Sequence, residues 1–397
     1  MREKVTPRIA YCTDTYDEAN GVATLSRAFA DFARRHQLPV LFIRPGEMTR
    51  SVTEGTVTTV EVAKSGLCLP LSAGLSFDLL IHRRAAWLRE QMMAFHPDIV
   101  HITGPGDVGM VCARLSHVLR VPKPPLVAAW HTNLHQYAKL RAGALLRPLP
   151  DKAAAAVGDQ IEALAFRLIA RFYQSARMIL APNAEILGQL TAATGKSGCL
   201  MLHGVDSELF VPRLAPIDPG CEPITLGHVG RLVEEKNVRE LVEVANRLPP
   251  VIRERVRFLI VGDGPLRDWL AQRLPPNTCF TGILRGQELA AAFASMDVFL
   301  FPSLTDTFGL VVLEAMAAGV PVVSFGSSGP LSVVDHGVNG LVAATPAEFI
   351  DAVARLVQEP ELRCGLGRAA RETAMAESWD AVFCGVYENY RTLLPLQ

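Results

Sequence analysis

The chain has 397 residues, 49 % of them hydrophobic and 20 % charged, with a formal net charge of −1. That is the composition of a soluble globular protein long enough for two domains with separate cores, and it excludes a disordered or fibrous chain. No apolar run reaches the ~20 residues of a membrane-spanning helix, and no nucleic-acid partner is expected.

The start, Met1 to Arg8, leads directly into a strand-like run, so no signal peptide is expected. The eight cysteines (12, 68, 112, 199, 221, 279, 364 and 384) show neither a CxxC pair nor zinc spacing. Most lie in apolar segments, so reduced, buried thiols without disulfides are expected, in a cytoplasmic protein. The net charge conceals an asymmetry of +7 over residues 1–200 and −8 over the remainder. Either the first half meets an anionic surface, such as the inner face of the cell membrane, or the asymmetry is chance surface composition.

Strand-like and helical runs alternate along the whole chain, the pattern of parallel sheets built from βαβ units. In the first half the spacing predicts strands at Ile9–Asp14, Pro39–Arg44, Val57–Lys64, Asp98–Thr103, Leu126–Thr132 and Met178–Pro182. Helices are predicted near 21–35, 81–95, 107–119, 153–174 and 184–194. A seam without periodicity and with four prolines falls in His203–Pro223. Beyond it the predicted strands are Thr225–Gly230, Arg257–Gly262, Thr278–Gly282, Val298–Pro302, Pro321–Phe325 and Gly340–Ala343. The helices between and after them fall near 237–247, 265–273, 286–295, 309–318, 346–358 and 360–374.

Ligands of open parallel sheets bind outside the carboxyl ends of the strands, and the unusual residues gather there. After the first strand, Asn20-Gly21 precedes a helix; Gly21 would let backbone approach a phosphate, or it is a plain loop glycine. His131 ends a strand in the polar run Trp130-His131-Thr132-Asn133, either as a functional imidazole or as a structural one. Arg231 and Lys236 sit where a strand gives way to a helix and could hold a pyrophosphate and neutralise it as it leaves. The alternative is surface pairing with Glu234 and Glu235. Gly262 lies in the turn Val261-Gly262-Asp263-Gly264-Pro265, which is not the GxGxxG fingerprint of a nicotinamide dehydrogenase. The run Ser303 to Gly319 carries Asp306 in a polar turn and Glu314 inside a helix of otherwise apolar residues. A buried acid needs hydrogen-bond partners, and a hydroxyl-rich sugar would supply them.

Taken together, Asn20-Gly21-Val22-Ala23, His131-Thr132-Asn133, Gly230-Arg231-Leu232 with Glu235-Lys236-Asn237, Val261 to Pro265, and Asp306 to Leu310 with Glu314-Ala315 resemble the family-4 retaining glycosyltransferases. The resemblance covers nearly the whole chain. It implies the α/β GT-B architecture, two Rossmann-like doubly wound parallel-sheet domains facing a central cleft. Residues 1–202 would form the acceptor-binding domain, with the last helix (379–397) packed back on it, and residues 203–378 the nucleotide-sugar-binding domain.

By the same resemblance, Glu314 would bind the nucleotide ribose, and Asp306, where the family usually has Glu, the hydroxyls of the donor sugar. The Phe308-Gly309-Leu310 backbone would lie along sugar and phosphates, Arg231 and Lys236 on the diphosphate, and Gly21 against it from the other domain. Gly262 and the Phe280–Leu284 segment would flank ribose and base, and His131 would stand beside the reacting sugar. The chain has no DxD motif. Two cations and a helix N-terminus could serve instead, so no metal or other cofactor is expected.

The expected reaction moves a hexose from a GDP-mannose- or UDP-glucose-type donor to a hydroxyl acceptor, by front-face attack that retains configuration. The motifs most resemble the branch acting on diacylglycerol or phosphatidylinositol lipids, so a membrane lipid or glycolipid acceptor is expected. Lys139–Lys152, basic among leucines, is the segment expected on an anionic bilayer and Ser65–Leu80 a mobile acceptor loop; the alternative for both is a helix or loop covering the core. The alternatives are a soluble or polysaccharide acceptor, a GT-B sugar-nucleotide epimerase, or a nucleotide-sugar-binding protein without activity.

Overall fold

The computed structural model describes residues 6–72, 75–119, 121–146, 150–213, 223–326 and 329–395. The chain divides into two compact units, Met1–Leu202 with Trp379–Gln397, and His203–Ser378.

In the first unit the strands are β1 (Ile9–Cys12), β2 (Val40–Gly46), β3 (Arg50–Glu54), β4 (Val57–Ala63), β5 (Cys68–Ser72), β6 (Leu75–Asp78), β7 (Ile99–Ile102), β8 (Leu126–Ala129), β9 (Met178–Ala181) and β10 (Gly198–Leu200). Eight of them form one sheet in the order β10-β9-β8-β7-β1-β2-β4-β3. Only β3 runs antiparallel to its neighbour, and it is exposed along its whole length. The inner strands are short apolar runs because both faces are covered: Ala10 and Cys12 join the core on one side of β1, Ile9 and Tyr11 the core on the other. The helices are α1 (Gly21–Arg35), α2 (Ala85–Phe95), α3 (Asp107–Ser116), α4 (Leu134–Leu146), α5 (Asp151–Tyr173) and α6 (Ala184–Thr194).

In the second unit β11 (Ile224–Val229), β12 (Val256–Val261), β13 (Cys279–Gly282), β14 (Val298–Phe301), β15 (Val322–Phe325) and β16 (Gly340–Ala343) form an all-parallel sheet ordered β13-β12-β11-β14-β15-β16. Its helices are α7 (Glu240–Arg247), α8 (Pro250–Arg253), α9 (Arg267–Ala271), α10 (Gly286–Ala294), α11 (Leu310–Ala317), α12 (Pro346–Gln358) and α13 (Pro360–Ala376). The last helix, α14 (Trp379–Thr392), belongs to the first unit. Both sheets are doubly wound. Strand order reverses between β1 and β7 in one and between β11 and β14 in the other, and such switch points open a crevice at the carboxyl ends of the strands.

Several elements differ from the sequence expectation. Ser65–Leu80 is an antiparallel β5–β6 hairpin rather than a loop, closed where Asp78 accepts hydrogen bonds from the Ser65 amide at 2.6 Å and the Leu80 amide at 2.8 Å. The helix expected from 237 starts at Glu240, because Glu234–Lys236 is a 3-10 turn ended by Asn237 at φ +51°. Strand β3 carries no apolar alternation and exists only as an edge. Of the seven described cysteines, all free, only Cys12 and Cys112 are buried, and Cys279, Cys364 and Cys384 are exposed. Cys221 lies outside the described residues.

The chain end is held by aromatic packing. Phe383 is fully buried, with ring centroids 5.3 Å from Phe29, 5.4 Å from Phe32 and 5.4 Å from Trp379. The Tyr390 hydroxyl meets His101 Nδ1 at 2.6 Å, joining α14 to β7, and Arg35 pairs with Asp380 at 2.6 Å. Phe383→Ala is expected to destabilise the first unit by about 3–5 kcal/mol. Hydrogen exchange would register faster exchange of the α1 and β1 amides, with those of β11 and β14 unchanged.

Candidate functional site

The second unit's switch point lies between β11 and β14, and the loops leaving these two strands are stitched together. Thr305 Oγ1 donates to the Glu235 carbonyl at 2.9 Å, and Asn237 Nδ2 donates to the Pro302 carbonyl at 3.1 Å. Between these bonds the Lys236 ammonium is paired with Asp306 Oδ1, each side chain less than one-fifth exposed. Glu234 pairs instead with Arg239, at 2.5 Å, so the surface pairing open to Lys236 in the sequence is not made with Glu234. Burial pushes the Asp306 carboxyl up, but Lys236, the Ser303 hydroxyl and Arg231 outweigh it and hold it below the usual carboxylate range. Lys236, Asp306 and Arg231 thus form one cluster.

His228, on β11 beneath these loops, was not singled out by the sequence; its only signal is an imidazole in a strand that is otherwise wholly apolar or small. It donates through Nδ1 to the Leu300 carbonyl at 3.1 Å, which leaves Nε2 unprotonated. Burial lowers it to about 4, and it feels both Lys236 and Asp306.

Two glycines make this crowding possible. Gly262 has φ +135°, and a Cβ there would lie 1.9 Å from the Gly230 carbonyl oxygen, so the turns after β11 and β12 can touch only with glycine. Its amide donates to the Gly282 carbonyl at 2.8 Å, joining it to the Phe280–Leu284 segment. Gly309, at φ +83°, turns the chain into α11. Phe308 before it is buried with its ring 4.6 Å from His203, and Leu310 starts the helix half-buried.

Glu314 stands in the second turn of α11, 7 % exposed. No described residue hydrogen-bonds its carboxylate, and burial pushes it up to about 8.

In the first unit the switch point carries a second acidic feature. Asp14, just past β1, accepts from the Gly109 amide at 3.1 Å, and a Cβ on Gly106 would lie 2.2 Å from its carboxyl carbon. Burial, and then the neighbouring Asp107, raise Asp14 to about 8. Asp107 in turn accepts from the Asp78 amide at 2.8 Å. A pair of carboxyls cannot be read from residues 93 positions apart.

Gly21 opens α1 beside the capping Asn20, whose side chain accepts from the Ala23 amide at 2.9 Å. It is exposed, with nothing within 4 Å of where a Cβ would stand. His131 follows β8, 9 % exposed, and burial lowers it to about 4, which makes it a neutral imidazole at pH 7. Among the described residues no group of three or more His, Cys, Asp or Glu is placed to hold a metal ion.

The burial of Glu314 has a pH signature. Its ordinary value is 4.5 and its value in the fold about 8, so the stability tied to its uncharged form is complete below about 4.5 and is lost as pH rises through about 8. The loss reaches about 1.4 kcal/mol per pH unit within that window. Glu314→Gln is expected to abolish it, gaining stability over the native chain near pH 8 but not near pH 5 in denaturant titrations of the ligand-free protein.

Comparison with known proteins identifies the family. Residues 19–209 match the family described as Glycosyltransferase Family 4, and residues 223–359 match Glycosyl transferases group 1. A GDP-mannose-dependent alpha-mannosyltransferase of Mycolicibacterium smegmatis is 32 % identical over 316 residues, covering 76 % of each chain. A protein of the same name from Corynebacterium glutamicum is 26 % identical over 399 residues, 98 % of this chain and 90 % of that one. The Sulfoquinovosyl transferase SQD2 of Arabidopsis thaliana is 31 % identical over 333 residues, 79 % of this chain but only 58 % of that protein. Among solved structures, the sucrose-phosphate synthase of Thermosynechococcus elongatus superposes with a TM-score of 0.69 at 19 % identity, covering 98 % of this chain and 99 % of that one. HepE of Anabaena in complex with UDP gives 0.66 at 17 %, covering 97 % and 100 %. The chain therefore belongs to glycosyltransferase family 4: it is a retaining hexosyltransferase of GT-B fold that uses a nucleotide-sugar donor.

Proposed function

We propose that the enzyme moves a hexose from a GDP-mannose-type donor to a hydroxyl of a membrane lipid or glycolipid. The second unit binds the donor and the first the acceptor. The observation that carries the donor site is the Lys236–Asp306 pair with Arg231 at the second switch point, followed along the chain by Glu314, which lacks hydrogen bonds from the described residues. Two relatives named as GDP-mannose-dependent mannosyltransferases support the donor class. The positive first half supports an acceptor held at an anionic surface.

In this reading the diphosphate takes the Arg231 and Lys236 cations, with the start of α11 at Gly309 and Leu310 adding backbone N–H groups. Gly21, at the open start of α1, leaves room for a phosphate oxygen. The ribose hydroxyls give Glu314 the partners that burial withholds, while Gly262 and the Phe280–Leu284 segment flank ribose and base. Phe308 fixes the loop that presents Asp306 to the hydroxyls of the sugar.

As the bond from the anomeric carbon to the phosphate oxygen breaks, positive charge grows on the sugar and negative charge on the diphosphate. Arg231 and Lys236 stabilise the latter. The acceptor oxygen attacks from the face the diphosphate leaves, so configuration is retained, and its proton passes to the departing phosphate oxygen. His131 offers a hydrogen bond without a charge, whereas an imidazolium would oppose the cationic sugar.

Asp306→Asn is expected to lower kcat by roughly 10²–10³ while changing donor affinity little, since its hydrogen bonds strengthen as the sugar becomes cationic. Equal turnover in the variant would remove Asp306 from the mechanism. Glu314→Gln is expected to weaken donor binding by roughly three- to tenfold in calorimetry with GDP-mannose, the net value of one hydrogen bond. Tighter binding of UDP-glucose than of GDP-mannose would overturn the donor assignment. Mass spectrometry of lipid extracts incubated with the preferred donor tests the acceptor; a glycosyl adduct trapped on any side chain would overturn front-face attack.

A further inference from the structure

We propose that the outward face of α5 is the surface on which this enzyme docks to an anionic lipid bilayer. This rests on the reading of a lipid acceptor but assigns its own element and chemistry. Val157, Leu164 and Leu168 recur at intervals of seven and four residues, which puts them on one stripe of the helix. They are 36, 54 and 61 % exposed. The opposite face is the one that packs, with Phe166, Ile169 and Phe172 against the core and Tyr173 within it. Arg167 and Arg171 lie beside the stripe, exposed, and neither has a carboxylate partner among the described residues.

The acids in the middle of α5 lie off this stripe and pair toward α4, Asp159 remaining 68 % exposed. Asp159 and Glu162 both hold Lys139 of α4, at 2.7 and 2.9 Å. Of the Lys139–Lys152 segment expected at the membrane, Lys139 is paired within the helix pair, Arg141 and Lys152 are exposed, and Arg147 lies outside the described residues. Along the Val157–Leu168 stripe and its Arg167 and Arg171 flank, the outward residues are apolar or basic. That is the composition of a helix lying in a lipid interface, its leucines in the acyl boundary and its arginines on anionic headgroups. A second copy of the chain is the poorer occupant. A symmetric contact through this stripe would bring like-charged arginines together.

The test is flotation of the full-length chain with vesicles of phosphatidylcholine alone and of phosphatidylcholine with phosphatidylglycerol. The native chain is expected to float with the anionic vesicles, and less as salt rises. Arg167→Gln/Arg171→Gln is expected to bind them roughly thirty-fold more weakly, the effect of removing two charges near the surface. Leu164→Ser/Leu168→Ser is expected to lose at least tenfold at unchanged charge. Both pairs are exposed and outside the transfer site, so hydrolysis of the donor without acceptor should be unaffected, and that measurement confirms that each variant is folded. Absence of flotation by the native chain, equal binding to neutral vesicles, or undiminished binding by both variants would each overturn the proposal. So would a dimer abolished by Leu164→Ser/Leu168→Ser without vesicle binding. If the chain floats as predicted but glycosylates no lipid, the acceptor reading fails and the docking surface stands.

Discussion

The arrangement of the second unit depends on one buried ion pair. Lys236 and Asp306 are each too enclosed to keep a full hydration shell, and either charge left alone there would be strongly destabilising. Each therefore fixes the loop that carries the other. The loop after β11 and the loop after β14 are joined by this pair and by the Thr305 and Asn237 hydrogen bonds. Gly262 lets a third turn, the one after β12, press against the first. The charges proposed to meet a diphosphate are thus positioned by the contacts that hold the strand ends together, which would leave little reorganisation for the moment of reaction.

Burial sets the protonation of the surrounding groups in a consistent direction. Desolvation disfavours charge, so Glu314 is pushed up while His131 and His228 are pushed down. Asp306 is the exception because two cations outweigh the same penalty. The cluster of Arg231, Lys236 and Asp306 thus stays charged, while Glu314, His131 and His228 are held toward neutrality. Asp14 beside Asp107 follows the same rule at the other switch point, where two carboxyls so close resist holding two charges.

Surface chemistry in the first unit is decided by pairing between helices. α4 and α5 form an antiparallel pair whose inner polar contacts consume Lys139, Asp159 and Glu162. Arg167 and Arg171 remain outward on α5, alongside Arg141 and Lys152.

Fold class was legible in the chain alone, because buried parallel strands are short uninterrupted apolar runs and the helices between them repeat every three to four residues, and the family was legible as a resemblance carried by the strand-end motifs. The strand-end motifs around Gly230, Gly262 and Asp306 were legible too, since a glycine or charge at a strand-to-helix turn is a local signal. The edge strand β3 was not, because it is exposed along its whole length and no buried face imposes a period, and neither was the β5–β6 pairing. Nor could the chain alone say that Lys236 would choose Asp306, 70 residues away, over the adjacent Glu235, or that Asp14 would meet Asp107. Strand order alone brings such residues together, and with them which charges are buried, which are paired and which remain for a ligand.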